Sequence, residues 1–175
     1  FSAYPDLAID LVTSSTGKKR TEQYTNNSTI HFLDIGKKEA HLQQQTTKDL
    51  LAYAITAARC IPSLRKQKQF DLAHAFFAIP CGYLASRLPL PYIVSLRGSD
   101  VPNHNPKFKA SYRLFSPFIK KAMKAASAVV ANSEDLKQEA LSFFQRNYDV
   151  IGNGVDVENM RPLQQRTPSA GRYRA

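Results

Sequence analysis

The stretch PYIVSLRGSD, residues 91–100, decides how this sequence is interpreted. Its apolar run is typical of a strand buried in a parallel sheet. The run stops abruptly at a cation, a glycine, a hydroxyl and a carboxylate, which are Arg97, Gly98, Ser99 and Asp100. Because ligands of open parallel sheets bind beyond the carboxyl ends of the strands, this change of character predicts the edge of a ligand crevice.

Short apolar strands alternate with helical patterns around this stretch. Helical spacing, with a cap at Thr46 and an acid at Asp49, predicts a helix over residues 46–66. The polar, basic segment 14–27 is interpreted as a loop. The alternation predicts an α/β fold: a Rossmann-like parallel sheet with helices on both faces. The predicted strands are residues 8–13, 29–35, 70–76, 92–96, 127–131 and 148–151, and the other predicted helices are residues 80–88, 106–126 and one that begins after Ser133.

The length of the chain fits one domain, and its composition limits the ligands and metal sites that we expect. A chain of 175 residues is long enough for a real core. The net charge of +10 suggests an anionic partner, either nucleotide phosphate, nucleic acid or an anionic membrane, although solvated lysines are the simpler alternative. The two cysteines, Cys60 and Cys81, are interpreted as buried free thiols of a reducing compartment. The histidines and cysteines show no metal-ligand spacing, so no metal site is expected.

Polar, small residues follow the predicted strands, and this suits a ligand rich in hydroxyls and phosphates. Arg97 can hold an anion or bind sugar hydroxyls, and Gly98 lets the backbone come close to a ligand. The alternative is a simple turn in which Arg97 pairs with Asp100. His74, inside an apolar strand, is either a site residue or a hydrogen-bonded core histidine. The other candidate substrate-binding residues are Ser99, Asp100, Ser133, Asn153 and Gly154.

The helix predicted over residues 106–126 is basic as well as amphipathic. Its aromatic face favours packing on the sheet, and its cations leave open a contact with an anionic membrane. These cations are Lys107, Lys109, Arg113, Lys120, Lys121 and Lys124.

Three stretches, in order, resemble the N-terminal domain of a family 4 (GT-B) retaining glycosyltransferase. They are FDLAHAFFAIPCGYLA at residues 70–85, LPYIVSLRGSDVP at 90–102, and AASAVVANSEDLKQEAL through IGNGVDVENMRPL at 125–163. The segment LVTSST, residues 11–16, also fits the second strand of such a domain. The ordered set covers nearly the whole chain.

The resemblance implies one half of a GT-B two-domain architecture. Residues 1–163 are then the acceptor-side domain, and residues 164–175 are a linker or the start of a truncated donor domain. The first strand, with a glycine-rich loop, should precede Phe1, and the donor domain should follow Ala175. The resemblance implies that the complete enzyme moves a sugar from a nucleotide-diphosphate sugar to a glycan or lipid-linked acceptor with retention. It implies no cofactor besides that donor substrate, and it implies that this chain alone is inactive.

Two positions depart from the common pattern of the family. Phe76 stands where many members have the second histidine of His-Ala-His, and Arg97 stands where many have a histidine that contacts the transferred sugar. An arginine stays protonated and cannot act as a base, which is compatible with a leaving phosphate that takes the acceptor proton. The resemblance therefore implies that Arg97 and His74 are the catalytic candidates, with Gly98 and Ser99 bordering the donor sugar. Arg113 is a further candidate on the acceptor side.

Two other classes of function compete with this interpretation. The charge alone suggests a basic nucleic-acid-binding module, but no recognisable nucleic-acid motif accompanies it. A GT-B-like sugar-nucleotide epimerase or a non-catalytic sugar binder would share the fold. The expected partners are a nucleotide sugar and a glycan or lipid-linked acceptor, with peripheral contact to an anionic membrane and no nucleic acid. The expected location is the cytoplasm, including the inner membrane face.

Overall fold

The computed structural model describes residues 4–37, 46–99, 101 and 109–156, and in the last range it describes the side chains from residue 114 onward. Seven strands, four helices and a wide helical turn at Ala78–Gly82 lie within these ranges. In chain order they are β1 (Ile9–Ser15), β2 (Arg20–Thr25), β3 (Ser28–Asp34), α1 (Thr47–Gln67), β4 (Ala73–Phe76), α2 (Tyr83–Ala85), β5 (Tyr92–Ser95), α3 (Lys109–Ala125), β6 (Ala128–Ala131), α4 (Glu134–Phe143) and β7 (Asp149–Val150).

The first sheet consists of β1, β3 and β2, with β3 in the centre. β1 runs parallel to β3, and β2 pairs antiparallel with β3 after a turn at Asn26 and Asn27. The loop predicted over residues 14–27 is therefore wrong, because β1 continues to Ser15 and β2 follows it. The sequence of β2, RTEQYT, has no hydrophobic pattern that would predict a strand, and its side chains are almost all exposed. Backbone pairing with β3, rather than burial, holds this edge strand in place.

The second sheet has the order β4-β5-β6-β7, and all its strands run parallel. This confirms the predicted α/β fold with a Rossmann-like parallel sheet. One detail differs, because the sequence predicted a single sheet and the structure has two. Within the described ranges, no strand pairs with the second edge of β1 or with the second edge of β4.

α1 and α4 begin where the sequence predicts, and the helix predicted over residues 80–88 begins later and is shorter. The Asp49 backbone N–H donates to the Thr46 hydroxyl at 3.2 Å, and the Thr46 N–H donates to the Asp49 carboxylate at 3.0 Å, which is the predicted capping arrangement. The helix predicted over residues 80–88 is wrong in length. The chain instead makes the wide turn, in which Ile79 is extended, and then the single turn of α2. α3 continues unbroken through Pro117.

The main core lies on one face of the second sheet. Ladder partners share a face, so the buried residues Ala75, Val94 and Val129 lie side by side there. The Tyr92 hydroxyl donates to a backbone carbonyl of α3 at 2.7 Å and fixes that helix against this face. Right-handed connections place α3 and α4 on the same side. The opposite face, which carries His74, is more exposed among the described residues, so helices on that face remain a prediction.

A smaller core joins α1 to the first sheet. Leu33, Ala57 and Cys60 are buried in it, and Val12 packs against them. Cys60 and Cys81 are both free thiols, as predicted, but only Cys60 is buried, and Cys81 is half-buried. Each sheet therefore has its own core, and the two sheets present open edges to each other.

Candidate functional site

Five side chains meet where the parallel strands of the second sheet end. They come from β4, from the end of β5, and from the segment that follows β7. Because Phe76 pairs with Ser95 in the ladder, β4 and β5 end at the same level. The carboxyl ends of parallel strands form the edge at which open α/β sheets bind ligands. The five residues are His74, Phe76, Ser95, Arg97 and Asn153.

Arg97 is the centre of this cluster. Its Nη1 donates a hydrogen bond of 2.5 Å to the Asn153 Oδ1, and its Cζ lies 4.8 Å from the centroid of the Phe76 ring. The first contact is polar and the second is a cation–π contact, so both orient the guanidinium. The side chain is half-buried, which leaves part of it accessible at the strand ends.

The backbone on both sides of Arg97 is fixed. Leu96 is almost fully buried, and its N–H donates to the Val130 carbonyl at 2.8 Å. Gly98 has a φ of 92°, in the left-handed region where a side chain would be strained. The chain therefore leaves the sheet directly after Arg97, and glycine at position 98 permits that turn.

His74 lies next to the guanidinium, on the exposed side of β4. Its Nε2 forms a hydrogen bond of 2.8 Å with the hydroxyl of Ser95, and its ring stacks on Phe76 with centroids 4.6 Å apart. Partial desolvation of the imidazole, and then the nearby positive charge of Arg97, hold the pKa of His74 below its usual value. His74 is consequently neutral at pH 7 and can exchange a hydrogen bond without adding charge. Its exposure argues against the core alternative.

The other predicted site residues divide into separate groups. Gly98 is buried beside the cluster, and Ser99 is exposed and lines the space between the two sheets. The Ser133 hydroxyl instead accepts a hydrogen bond from the Leu136 N–H at 3.2 Å, so it caps α4. Gly154 is exposed on the segment that carries Asn153.

Two predicted residues cannot be located in the site. Asp100 lies outside the described residues, so the alternative in which Asp100 pairs with Arg97 is not tested. Arg113 lies on α3, but its side chain is outside the described part of the structure. The structure therefore brings together Arg97, His74 and Asn153 from the predicted set.

Sequence reasoning missed Phe76 and Ser95 as members of the cluster. Phe76 was noted only as a departure from a histidine, and its place between the imidazole and the guanidinium depends on the strand geometry. Ser95 reads as an ordinary strand residue, although its buried hydroxyl holds His74. The one sequence signal is that both residues lie at or near the carboxyl ends of predicted strands, 70–76 and 92–96, and such ends lie at the same edge of a parallel sheet.

The cluster combines a fixed positive charge, a neutral imidazole, an amide and an aromatic ring. This set suits an anionic ligand that also carries hydroxyl groups. No group of three or more histidine, cysteine or acidic side chains with metal-binding geometry occurs in the part of the chain that the structure describes. Over the same residues, no helix has both the length and the apolar character needed to cross a membrane.

Comparison with known proteins places the chain in a family. The sequence model of Glycosyltransferase Family 4 matches residues 9–159. A relative from Bacillus subtilis (strain 168), named as a teichuronic acid biosynthesis glycosyltransferase, TuaC, is 32% identical over 95 residues. The match spans 52% of this chain and 23% of the relative, so the aligned residues cover about a quarter of that longer protein. The family match covers most of the described fold, including the cluster, and the chain therefore belongs to glycosyltransferase family 4.

Proposed function

We propose that this chain is the acceptor-side domain of a retaining glycosyltransferase. The complete enzyme transfers a sugar from a nucleotide-diphosphate sugar to a glycan or lipid-linked acceptor in polysaccharide biosynthesis. Membership of the family supports the transfer reaction, and the name of the Bacillus relative, a teichuronic acid biosynthesis glycosyltransferase, supports a role in biosynthesis. This domain alone is inactive, since the donor is held mainly by a second domain, and the enzyme needs no cofactor besides its donor.

The observation that carries the proposal is the position of Arg97. Its guanidinium lies at the ends of β4 and β5, held by Asn153 and by the ring of Phe76. A preoriented cation at this edge supports the negative charge that develops on a departing diphosphate. It also supplies a forked donor for a sugar hydroxyl. Arg97 and His74 are thus the proposed catalytic residues.

His74 has a different role from Arg97 in this proposal. Because its pKa is lowered, the imidazole is neutral and donates or accepts a hydrogen bond without repelling Arg97. The leaving phosphate takes the acceptor proton, so His74 positions a sugar hydroxyl and does not serve as an obligatory base. Gly98, Ser99, Asn153 and Gly154 border the substrates. Asp100, Ser133 and Arg113 are assigned to substrate binding from the sequence pattern only.

The second proposed partner is an anionic membrane surface. Leu114 and Phe118, one helical turn apart on α3, are exposed, and so are the nearby Lys120, Lys121 and Lys124. Apolar side chains flanked by lysines favour binding to anionic lipid headgroups. This surface fits a cytoplasmic enzyme that meets a lipid-linked acceptor at the inner membrane face.

A screen of nucleotide sugars with the complete enzyme tests the proposed function. Each nucleotide-diphosphate sugar is incubated with extracted glycan or lipid-linked acceptors, and release of the nucleoside diphosphate is measured. We expect release that depends on acceptor and a product whose anomeric configuration, read by NMR, equals that of the donor. Inversion would contradict the retaining mechanism. Binding of a sugar nucleotide followed by epimerisation, with no transfer, would contradict the transferase assignment.

A further inference from the structure

The hydroxyl of Ser95 has one hydrogen-bond partner among the described residues, and that partner is the imidazole of His74. Ser95 is buried on β5, with 7% of its surface exposed, and its hydroxyl oxygen lies 2.8 Å from the His74 Nε2. A serine hydroxyl always carries one proton to donate, whereas the Nε2 of a neutral imidazole either carries a proton or accepts a hydrogen bond. The contact therefore links the buried hydroxyl to the tautomer of His74.

Only one of the two neutral tautomers satisfies both atoms of this contact. If Nε2 carried the proton, it would donate to the Ser95 oxygen, and the hydroxyl proton would lie buried with no acceptor in the part of the chain that the structure describes. A buried donor without a partner carries the full cost of its lost hydration. In the opposite arrangement the Ser95 hydroxyl donates to a bare Nε2, and the imidazole proton lies on Nδ1.

The orientation of the imidazole ring is fixed as well. Its plane stacks on the Phe76 ring at an interplanar angle of 26°. A ring turned over in the same plane would present a carbon atom to the Ser95 hydroxyl, and the hydrogen bond would be lost. The other nitrogen, Nδ1, has no hydrogen-bond partner within the described ranges, and His74 is exposed beside the Arg97 guanidinium. Nδ1 is therefore the nitrogen that remains for a ligand.

We propose that Ser95 is a positioning residue that holds His74 in its Nδ1–H tautomer, so that the imidazole offers the substrate a hydrogen-bond donor. This inference rests on the proposed function and narrows the role of His74 in it. The Nδ1–H group donates to the oxygen of a sugar hydroxyl, and Nδ1 has no lone pair with which to remove a proton. Since Nε2 is occupied by the Ser95 hydroxyl, neither nitrogen serves as a base. This fits a reaction in which the leaving phosphate takes the acceptor proton.

The neighbouring polar side chains of the cluster have the same preference. The guanidinium of Arg97 has donors and no acceptor. The Asn153 Oδ1 already accepts a hydrogen bond from Arg97, and the amide nitrogen of Asn153 is a donor. With a proton on Nδ1 of His74, all three side chains offer donors, so the cluster favours ligand oxygens that accept hydrogen bonds. Ser95 thus matches the imidazole to the two side chains beside it.

Nitrogen NMR of the complete enzyme, labelled with 15N-histidine, tests the tautomer without any substrate. The signals of His74 are identified by their absence from the spectrum of His74→Gln. Because the pKa of His74 is lowered, the imidazole is neutral at about pH 8, and its protonated and bare nitrogens then resonate at well-separated frequencies. We expect the proton on Nδ1 and a bare Nε2. A proton on Nε2 and a bare Nδ1 would overturn the proposal.

Ser95→Ala and Ser95→Thr form a matched pair for the role of the hydroxyl. Ser95→Ala removes it, so we expect a substantial fraction of the imidazole proton to move from Nδ1 to Nε2. Ser95→Thr keeps a hydroxyl on a residue that strands favour, and it should restore the Nδ1–H signal. An unchanged tautomer in Ser95→Ala would show that another group sets it and would contradict the role of Ser95. If Ser95→Thr does not fold, the comparison of the wild type with Ser95→Ala still decides.

Two substitutions of His74 show which nitrogen acts on the substrate. The amide nitrogen of an asparagine takes the place of Nδ1, and that of a glutamine takes the place of Nε2. In the complete enzyme we expect kcat/KM of His74→Asn to exceed that of His74→Gln about 10-fold, since only the asparagine keeps the donor. A His74→Gln variant that is equally active or more active would contradict a donor at Nδ1. Absence of sugar transfer by the wild type would instead contradict the proposed function, while the tautomer read by NMR would still stand.

Discussion

Substituting Gly82 by alanine should destabilise the fold, because the added methyl group has no room. An ideal Cβ at this position would lie 3.2 Å from the Val94 Cγ2, 3.4 Å from the Ala122 Cβ and 3.4 Å from the Phe77 carbonyl oxygen. Val94 and Ala122 are fully buried, so neither can move aside without disturbing β5 or α3. Overpacking of this kind costs about 1 to 3 kcal/mol.

One opposing effect has to be subtracted. Alanine restricts the unfolded chain and stabilises by about 0.4 to 1 kcal/mol wherever the native backbone accepts it. Gly82 has helical angles, φ −62° and ψ −38°, so it would gain this contribution. Gly152→Ala is the matched control, because its Cβ would meet no atom within 4 Å and the same entropic gain applies. The difference between the two variants isolates the packing cost.

Urea unfolding followed by circular dichroism measures this difference. We expect Gly82→Ala to be less stable than Gly152→Ala by about 1 to 3 kcal/mol, at an unchanged dependence on urea concentration. For a chain of this size that corresponds to a melting temperature lower by roughly 2 to 12 °C. Equal stability of the two variants would refute the close packing of the turn after β4 against β5 and α3.

Three further substitutions test other parts of the structure. Tyr92→Phe removes the hydroxyl that donates to α3 at 2.7 Å and leaves its acceptor buried, so urea unfolding should show a loss of about 1 to 3 kcal/mol. Although burial raises the pKa of Asp10, hydrogen bonds from His31 and Lys68 outweigh it and hold that pKa below its usual value. The stability that the folded protein gains from this lowered pKa is present above the unfolded pKa and is lost as the pH falls through the folded pKa. Asp10→Asn should therefore be less stable than the wild type at pH 7. It should also lose less stability than the wild type on acidification below about pH 4. Parallel curves of melting temperature against pH for the wild type and Asp10→Asn would contradict this expectation. Asn153→Ala removes one hydrogen bond of the Arg97 guanidinium without removing its charge, so we expect kcat of the complete enzyme to fall roughly 10-fold with an unchanged fold. A normal kcat would show that this hydrogen bond has no role in positioning Arg97.

The sequence predicted those features that local chemistry determines. The capping arrangement of Thr46 and Asp49, the cap of α4 at Ser133 and the parallel strands of the second sheet all follow from spacing and residue type. Arg97 was selected because an apolar strand ends there, and the structure locates it at the strand ends. Its partner Asn153 was selected only as a residue that follows another strand.

Other features depend on contacts between distant parts of the chain and could not be predicted. β2 is polar and exposed, so its pairing with β3 leaves no hydrophobic pattern. The division into two sheets arises because no described strand pairs with the second edge of β1. The hydrophobic pattern of a strand does not show which other strands pair with it. Phe76 lies under both His74 and Arg97 because three strand ends meet, which single-sequence periodicity does not encode.

The central claim is that the guanidinium of Arg97 acts in sugar transfer, and kcat of the complete enzyme with Arg97→Ala tests it most directly. The matched control is Arg87→Ala, which removes an exposed arginine beside Tyr83, away from the strand ends. With the melting temperatures of both variants at the wild-type value, we predict that Arg97→Ala lowers kcat about 100-fold or more, while Arg87→Ala leaves it unchanged. A kcat of Arg97→Ala within a factor of about three of the wild type would contradict the account, because that factor is under 1 kcal/mol of transition-state stabilisation.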